Sequence, residues 1–332
     1  MSGKYYIKFG QRKQYNAGAK AVKDVMNLLD KEGFRAVLSL PVYYNKWLKL
    51  VDVPILLFIL FFRVGRNGML LYIVPSNSFR IWLLGKVRNL LGFKLVCFIN
   101  DVESMRSEQM WGQRKVEIDA IACADVILAP NENSCRILRE DYGIYKRMIP
   151  VQVWDYLHPK SFCDSYPDGS ICFAGNLMKA PFINQLHRLN LSFKIWGDGC
   201  SPKKVGNLQF MGVESPEYLP IEIRHSSWGL VWDGTSIETC AGLLGTYQRF
   251  NNPHKCGLYL ASGIPVIVWR ESGMASFVEH HQVGICVSSL YEAEHIIHTM
   301  KDEEYEHYRK NAAAMAPLLR KGFFFLSALS EI

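Results

Sequence analysis

Asn252-Pro253-His254-Lys255 sets a cap-forming amide, a helix-starting proline and a cation within four residues, just ahead of an apolar helical run. Asn is a favoured N-cap and proline suits a first helical turn, so a helix is expected to begin at Asn252 with Lys255 inside its first turn. The unpaired N–H groups of such a terminus, with an ammonium beside them, suit an anion carrying two or more phosphate charges. Two glycine turns join this segment. Ala174-Gly175-Asn176 follows the strand-like Ile171–Phe173, with Lys179 shortly after, and Gly197-Asp198-Gly199 follows Phe193–Trp196. Glycine directly after a strand lets the backbone approach a ligand, although either turn alone is equally an ordinary bend. Asp233-Gly234 ends a third strand, and a long polar loop, 235–250, then leads through Tyr247 to the Asn252 block. In the first half, Asp101 and Glu103 follow the strand-like Lys94–Ile99. A carboxylate there can take a proton from a hydroxyl or can simply cap the next helix. Asn16 and Gly18, after the first strand, form another glycine-bearing helix start suited to phosphate or to a second substrate.

These segments share one context, since each follows a strand. Strand-like runs alternate with amphipathic stretches from Tyr5 to Leu128, lapse across Pro150–Gly169, and resume from Ile171 to Val287. That alternation means parallel strands with crossover helices, hence an α/β protein of two Rossmann-like doubly wound domains. Ligands of such sheets bind outside the carboxyl ends of the strands, where strand order reverses. The expected division is 1–155, 156–310, and a C-terminal helix, 311–332, packing back on the first domain.

Composition narrows the classes. With 332 residues, 49% hydrophobic and 21% charged, the chain is globular and is neither disordered nor a coiled coil. The excess of 38 Lys and Arg over 31 Asp and Glu gives +7, compatible with phosphorylated small molecules or anionic lipid. No basic run or known module points to nucleic acid. The nine cysteines include no Cys-x-x-Cys pair, so neither a zinc ribbon nor a compact disulfide framework is expected, and a reducing, cytoplasmic setting is. Within the apolar stretch Val51–Val64, the uninterrupted run Val53–Phe62 spans as a helix about half a bilayer core. Lys46, Trp47, Lys49, Arg63 and Arg66 fringe it, which suits a helix lying on an anionic membrane surface or a core helix with basic ends.

Phe173-Ala174-Gly175-Asn176-Leu177, Gly229 to Gly234, Asn252-Pro253-His254-Lys255 and Tyr259 to Trp269 together resemble the bacterial galactofuranosyltransferases and the related glucosyltransferase 3 enzymes. Asn100-Asp101-Val102-Glu103-Ser104-Met105-Arg106 extends the resemblance into the first half. It implies a GT-B fold, a UDP-sugar donor as co-substrate held by the C-terminal domain, and no other cofactor or metal. Gly175, Asn176, Lys179, Gly197, Asp198, Asp233, Tyr247, Asn252, His254 and Lys255 then fall on the donor side, with Asp101 and Glu103 as candidate bases. The acceptor would be a glycan or lipid-linked glycan. From the basic-fringed apolar helix a peripheral contact at the inner face of the membrane is compatible with the chain, as is a homo-oligomer. Two departures stand out. Position 100 is Asn where the family usually has His, and the Glu-x7-Glu pair of many retaining GT-B enzymes is replaced by Phe250 and Leu258. Glu271 and Glu279 repeat that spacing but out of register. The rivals are a nucleotide-sugar epimerase of the same fold and a non-catalytic GT-B-like partner that binds glycan or tethers an enzyme.

Overall fold

The computed structural model describes residues 3–8, 17–38, 54–65, 67–75, 78–107, 112–159, 166–199 and 203–332. Contacts divide the chain into two units. One comprises Met1–Gln14, Val22–Val151 and Ala328–Ile332, and the other Tyr15–Ala21 with Gln152–Ser327. Of the segment 311–332, residues through Ser327 therefore group with the second unit.

The first unit holds β1 (Lys4–Lys8), α1 (Ala17–Lys31, from Val22), β2 (Arg35–Leu38), α2 (Pro54–Val64), β3 (Met69–Val74), α3 (Ser78–Leu91) and β4 (Lys94–Ile99). It continues with α4 (Glu103–Arg106), α5 (Arg114–Ala122), β5 (Val126–Ala129), α6 (Glu132–Glu140) and β6 (Arg147–Pro150). Its six strands are parallel in the order β2-β1-β3-β4-β5-β6. β3 and β4 are buried over five of their six residues, which is why they read as continuous apolar runs. The polar helix α5 begins at Arg114 and is preceded by the single turn of α4. At α6 the N-cap Asn131 accepts from Ser134 N–H, and Ser134 Oγ in turn accepts from Asn131 N–H, so both helix-start donors are satisfied.

In the second unit come β7 (Ile171–Ala174), β8 (Phe193–Trp196), β9 (Lys203–Val205), β10 (Leu208–Gly212), α7 (Leu219–Ile223), β11 (Trp228–Val231), α8 (Gly242–Tyr247) and α9 (His254–Ala261). Then follow β12 (Val266–Trp269), α10 (Ala275–His281), β13 (Gly284–Val287), α11 (Leu290–Thr299), α12 (Asp302–Lys321) and α13 (Phe323–Ser330). The order is β13-β12-β11-β7-β8-β10-β9, parallel except for β9, which turns back as a short antiparallel edge on β10. Alternate residues feed two cores. Ile171, Phe173, Trp228, Leu230 and Ile267 face one, while Cys172, Ala174, Val231, Val266 and Val268 face the other with α9 and α12. Between β7 and β8 the crossover is a 3-10 segment, Pro181–Arg188. The loop expected over 235–250 contains α8.

Candidate functional site

In the second unit, strand order reverses between β7 and β11, and the sequence-marked residues gather at the carboxyl ends there. Gly175 directly follows β7, and its N–H donates to Trp196 O at 3.0 Å. The two glycine turns press together, since a Cβ on Gly197 would stand 2.1 Å from Gly175 O and 2.8 Å from Leu177. Only glycine permits that approach. Asn176 is exposed, and its Oδ1 accepts Met178 N–H at 3.0 Å, capping a 3-10 turn that carries the exposed Lys179. Asp198 is exposed beside Gly197.

Lys255 stands in the first turn of α9. Its ammonium donates to Trp232 O at 2.9 Å and to Asp233 Oδ1 at 2.8 Å, and lies 4.7 Å from the Phe173 ring centroid. The Lys255–Asp233 pair is largely shielded from water, with side chains 13% and 24% exposed, so it is screened less than a surface pair. Asp233's other oxygen, Oδ2, accepts from Gln248 Nε2 at 3.1 Å. Gln248 is fully buried and takes the Cys240 thiol at 3.5 Å on its Oε1. Gln248 went unmarked in the sequence, because nothing about an isolated glutamine signals that its amide will orient a carboxylate 15 residues away.

Two details differ from the expectation for the Asn252 block. Pro253 occupies the N-cap position of α9 without a side-chain cap, and Asn252 is buried rather than capping. Tyr247 is also buried, its ring stacked on Phe250 at 5.8 Å. His254 is held neutral: its pKa falls to about 3, first because burial disfavours the charged ring and then because Lys20 repels a second cation. The ring leans on Tyr156 at 5.2 Å, and its Nε2 is buried with no hydrogen-bond partner among the described residues. Lys20 donates to Leu157 O at 2.9 Å and lies 4.5 Å from the Tyr156 centroid. Gly18 belongs to the first turn of α1, and Asn16 lies outside the described residues.

In the first unit, Asp101 follows β4, and Asn100 N–H and Asp101 N–H both reach Val74 O at the end of β3, at 2.9 and 3.4 Å. Asp101 is ion-paired with Arg106, and Glu103 approaches the same guanidinium at 4.0 Å. Neither caps α4. The buried Glu117 does so from α5, accepting Glu103 N–H at 3.1 Å and Ser104 N–H at 2.9 Å. Glu271, of the out-of-register pair, is ion-paired with Arg249.

Two parallel-sheet α/β units, each with a reversal of strand order, have the architecture of the GT-B fold. A solved structure of Anabaena Alr3699/HepE, described as a complex with UDP, covers 99% of this chain and 98% of its own at a TM-score of 0.58 and 12% identity, a likeness of fold. The family described as glucosyltransferase 3-like matches through its N-terminal domain at residues 4–153 and its C-terminal domain at 171–332, so the chain belongs to the glucosyltransferase 3-like family. It is 26% identical over 328 residues to the β-1,6-galactofuranosyltransferase WbbI of Escherichia coli K12, covering 96% of this chain and 94% of that one. It is 29% identical over 262 residues to glucosyltransferase 3 of Streptococcus parasanguinis, covering 77% and 74%. The family and fold that the motifs implied are thus shown.

Proposed function

We propose that the protein moves a hexosyl group, with galactofuranosyl among the candidates, from a UDP-sugar to a glycan or lipid-linked glycan hydroxyl in surface polysaccharide or glycoconjugate synthesis. One observation carries the donor half of this reading. At the β7–β11 switch point, two glycine turns in mutual contact end β7 and β8, and Lys255 of the first turn of α9 is fixed at the end of β11 by Trp232 O and Asp233. A leaving diphosphate needs positive charge and N–H donors already in place, and a fixed ammonium beside a helix start meets that need without reorganising. The names of the full-length relative and of the UDP-bound structure support the same donor class. In the transfer, the acceptor oxygen bonds to the anomeric carbon as the carbon–phosphate oxygen bond breaks. The diphosphate leaves with that electron pair, and the hydroxyl proton passes to a base. For an inverting transfer, Asp101 is the first candidate base and Glu103 the second. Asp101 is ion-paired with Arg106, so in this reading the proton would be taken by a carboxylate that the guanidinium also orients. We also assign the charge stabilisation to Lys255 and α9 rather than to a metal. UDP-sugar turnover that persists in EDTA would support this, and loss restored by a divalent cation would overturn it.

The test of the reading is calorimetric titration of UDP, followed by release of UDP from UDP-galactofuranose, UDP-glucose and UDP-galactose. Absence of UDP binding would favour the non-catalytic partner. A peripheral membrane contact fits α2, which buries Leu56, Leu60 and Val64 but exposes Ile55, Phe58, Phe61 and Phe62. An apolar face beside Arg63 suits the interface of an anionic bilayer, where a lipid-linked acceptor would lie.

A further inference from the structure

The ladder between β7 and β11 stops early. The two strands pair at Ile171–Trp228 and Cys172–Gly229 and no further. β7 continues beside β8 as far as Ala174–Trp196, and β11 continues beside β12 as far as Val231–Val268. Past Cys172 the two central strands therefore part, which strips ladder partners from backbone groups on the facing edges. Two side chains of α9 fill those places. Ala174 N–H donates to Tyr259 Oη at 2.8 Å, and Lys255 Nζ donates to Trp232 O at 2.9 Å. Residues 255 and 259 are four apart and so lie on one helix face. Tyr259 is wholly buried, and burial holds its phenol pKa well above the ordinary value, so the hydroxyl stays uncharged. Its ring rests directly on Gly229, where a Cβ would stand 2.3 Å from ring Cγ. The glycine at the last paired position makes room for the ring that ends the pairing.

We propose that Tyr259 is a positioning residue for the donor: its hydroxyl replaces the missing β7–β11 ladder bond and holds the Ala174-Gly175-Asn176 turn at the opening a nucleoside diphosphate enters. This rests on the donor-site reading above. Tyr259 does not touch the donor. It acts through the Ala174 amide, while Lys255, one turn earlier, takes the charge.

The experiment compares UDP affinity by calorimetry and donor KM and kcat for UDP-sugar hydrolysis in four variants. Tyr259→Phe keeps the ring and removes one oxygen, leaving the Ala174 N–H buried without an acceptor. It should weaken UDP binding and raise donor KM about tenfold, with kcat at saturating donor within about twofold. Tyr305→Phe is the control for mere loss of a tyrosine hydrogen bond, because Tyr305 Oη donates to Ser227 O at 3.1 Å beside the opposite, amino end of β11. It should leave both donor quantities unchanged. Gly229→Ala displaces the Tyr259 ring from the other side and should reproduce the donor defect, which keeps the proposal testable if Tyr259→Phe does not fold. Lys255→Met separates the two readings. If it loses UDP binding while Tyr259→Phe and Gly229→Ala bind UDP as the parent does, the positioning role fails and the donor site stands. If Lys255→Met also binds UDP normally, the donor site itself is misplaced. An equal loss of affinity in Tyr305→Phe, or a fall in kcat with donor KM unchanged, would likewise overturn the positioning role.

Discussion

His254 lies next to the one cation assigned to the diphosphate, yet it carries no charge of its own. Because its pKa is lowered from 6.5 to about 3 in the folded chain, the unfolded chain binds a proton that the native one refuses. The associated stability is complete above pH 6.5 and drains away as the pH falls from 6.5 toward 3, by about 2 kcal/mol at pH 5. Melting temperatures measured between pH 8 and 5 should therefore fall less steeply in His254→Asn than in the parent, and parallel slopes would contradict the assignment. Lys255→Met should reduce kcat/KM for the donor by about a hundredfold or more. It should also lower the melting temperature, because Asp233 is left half-buried without its cation. Lys255 was legible in the sequence because a cation after a proline-started helix has a local signature. Gln248 and Tyr259 were not. The one acts through a carboxylate in another loop and the other through an amide 85 residues away, so neither leaves a mark in its own neighbourhood.

At the scale of elements, α9 is fixed from two sides by glycine. Tyr259 lies on Gly229, and Gly257 meets the backbone of Trp154, where a Cβ would stand 2.0 Å from Trp154 O. Gly257→Ala should cost about 1–3 kcal/mol by forcing helix and segment apart, and chemical denaturation will measure it; a cost near zero would mean that the approach is not tight. The glycines themselves were plain in the sequence, but which partner each one faces depends on tertiary packing. α2 teaches a related lesson. A helix apolar on all sides has no pattern to say which side is inside, and the structure decides by burying the positions four apart, Leu56, Leu60 and Val64. Phe58, Phe61 and Phe62 remain outside, so replacing the three by Ser should abolish co-sedimentation with anionic liposomes while leaving UDP affinity unchanged. Equal co-sedimentation of parent and variant would remove the membrane from the account.

For the whole molecule, strand–helix alternation made the fold class legible, and the resemblance made the family legible. The order of the strands was not, since alternation does not fix which strands become neighbours. β9 went unseen because an exposed three-residue edge, Lys203-Lys204-Val205, has no apolar periodicity to find. A donor bound at a site that exists only in the folded chain must stabilise it, and UDP at a hundred times its Kd should add about 2.7 kcal/mol. Thermal shift checks this, and an unchanged melting temperature at that ratio would indicate that UDP is not the ligand. The division of the chain carries one more consequence. The backbone passes from one unit to the other at four places, after Gln14, Ala21, Val151 and Ser327. A protease nick between Val151 and Gln152 would thus leave the N-terminal fragment holding Tyr15–Ala21, which belongs to the second unit, and the C-terminal fragment holding Ala328–Ile332, which belongs to the first. The nicked protein should still migrate as one species in a native gel, and the two fragments, expressed apart, should regain UDP binding only when refolded together.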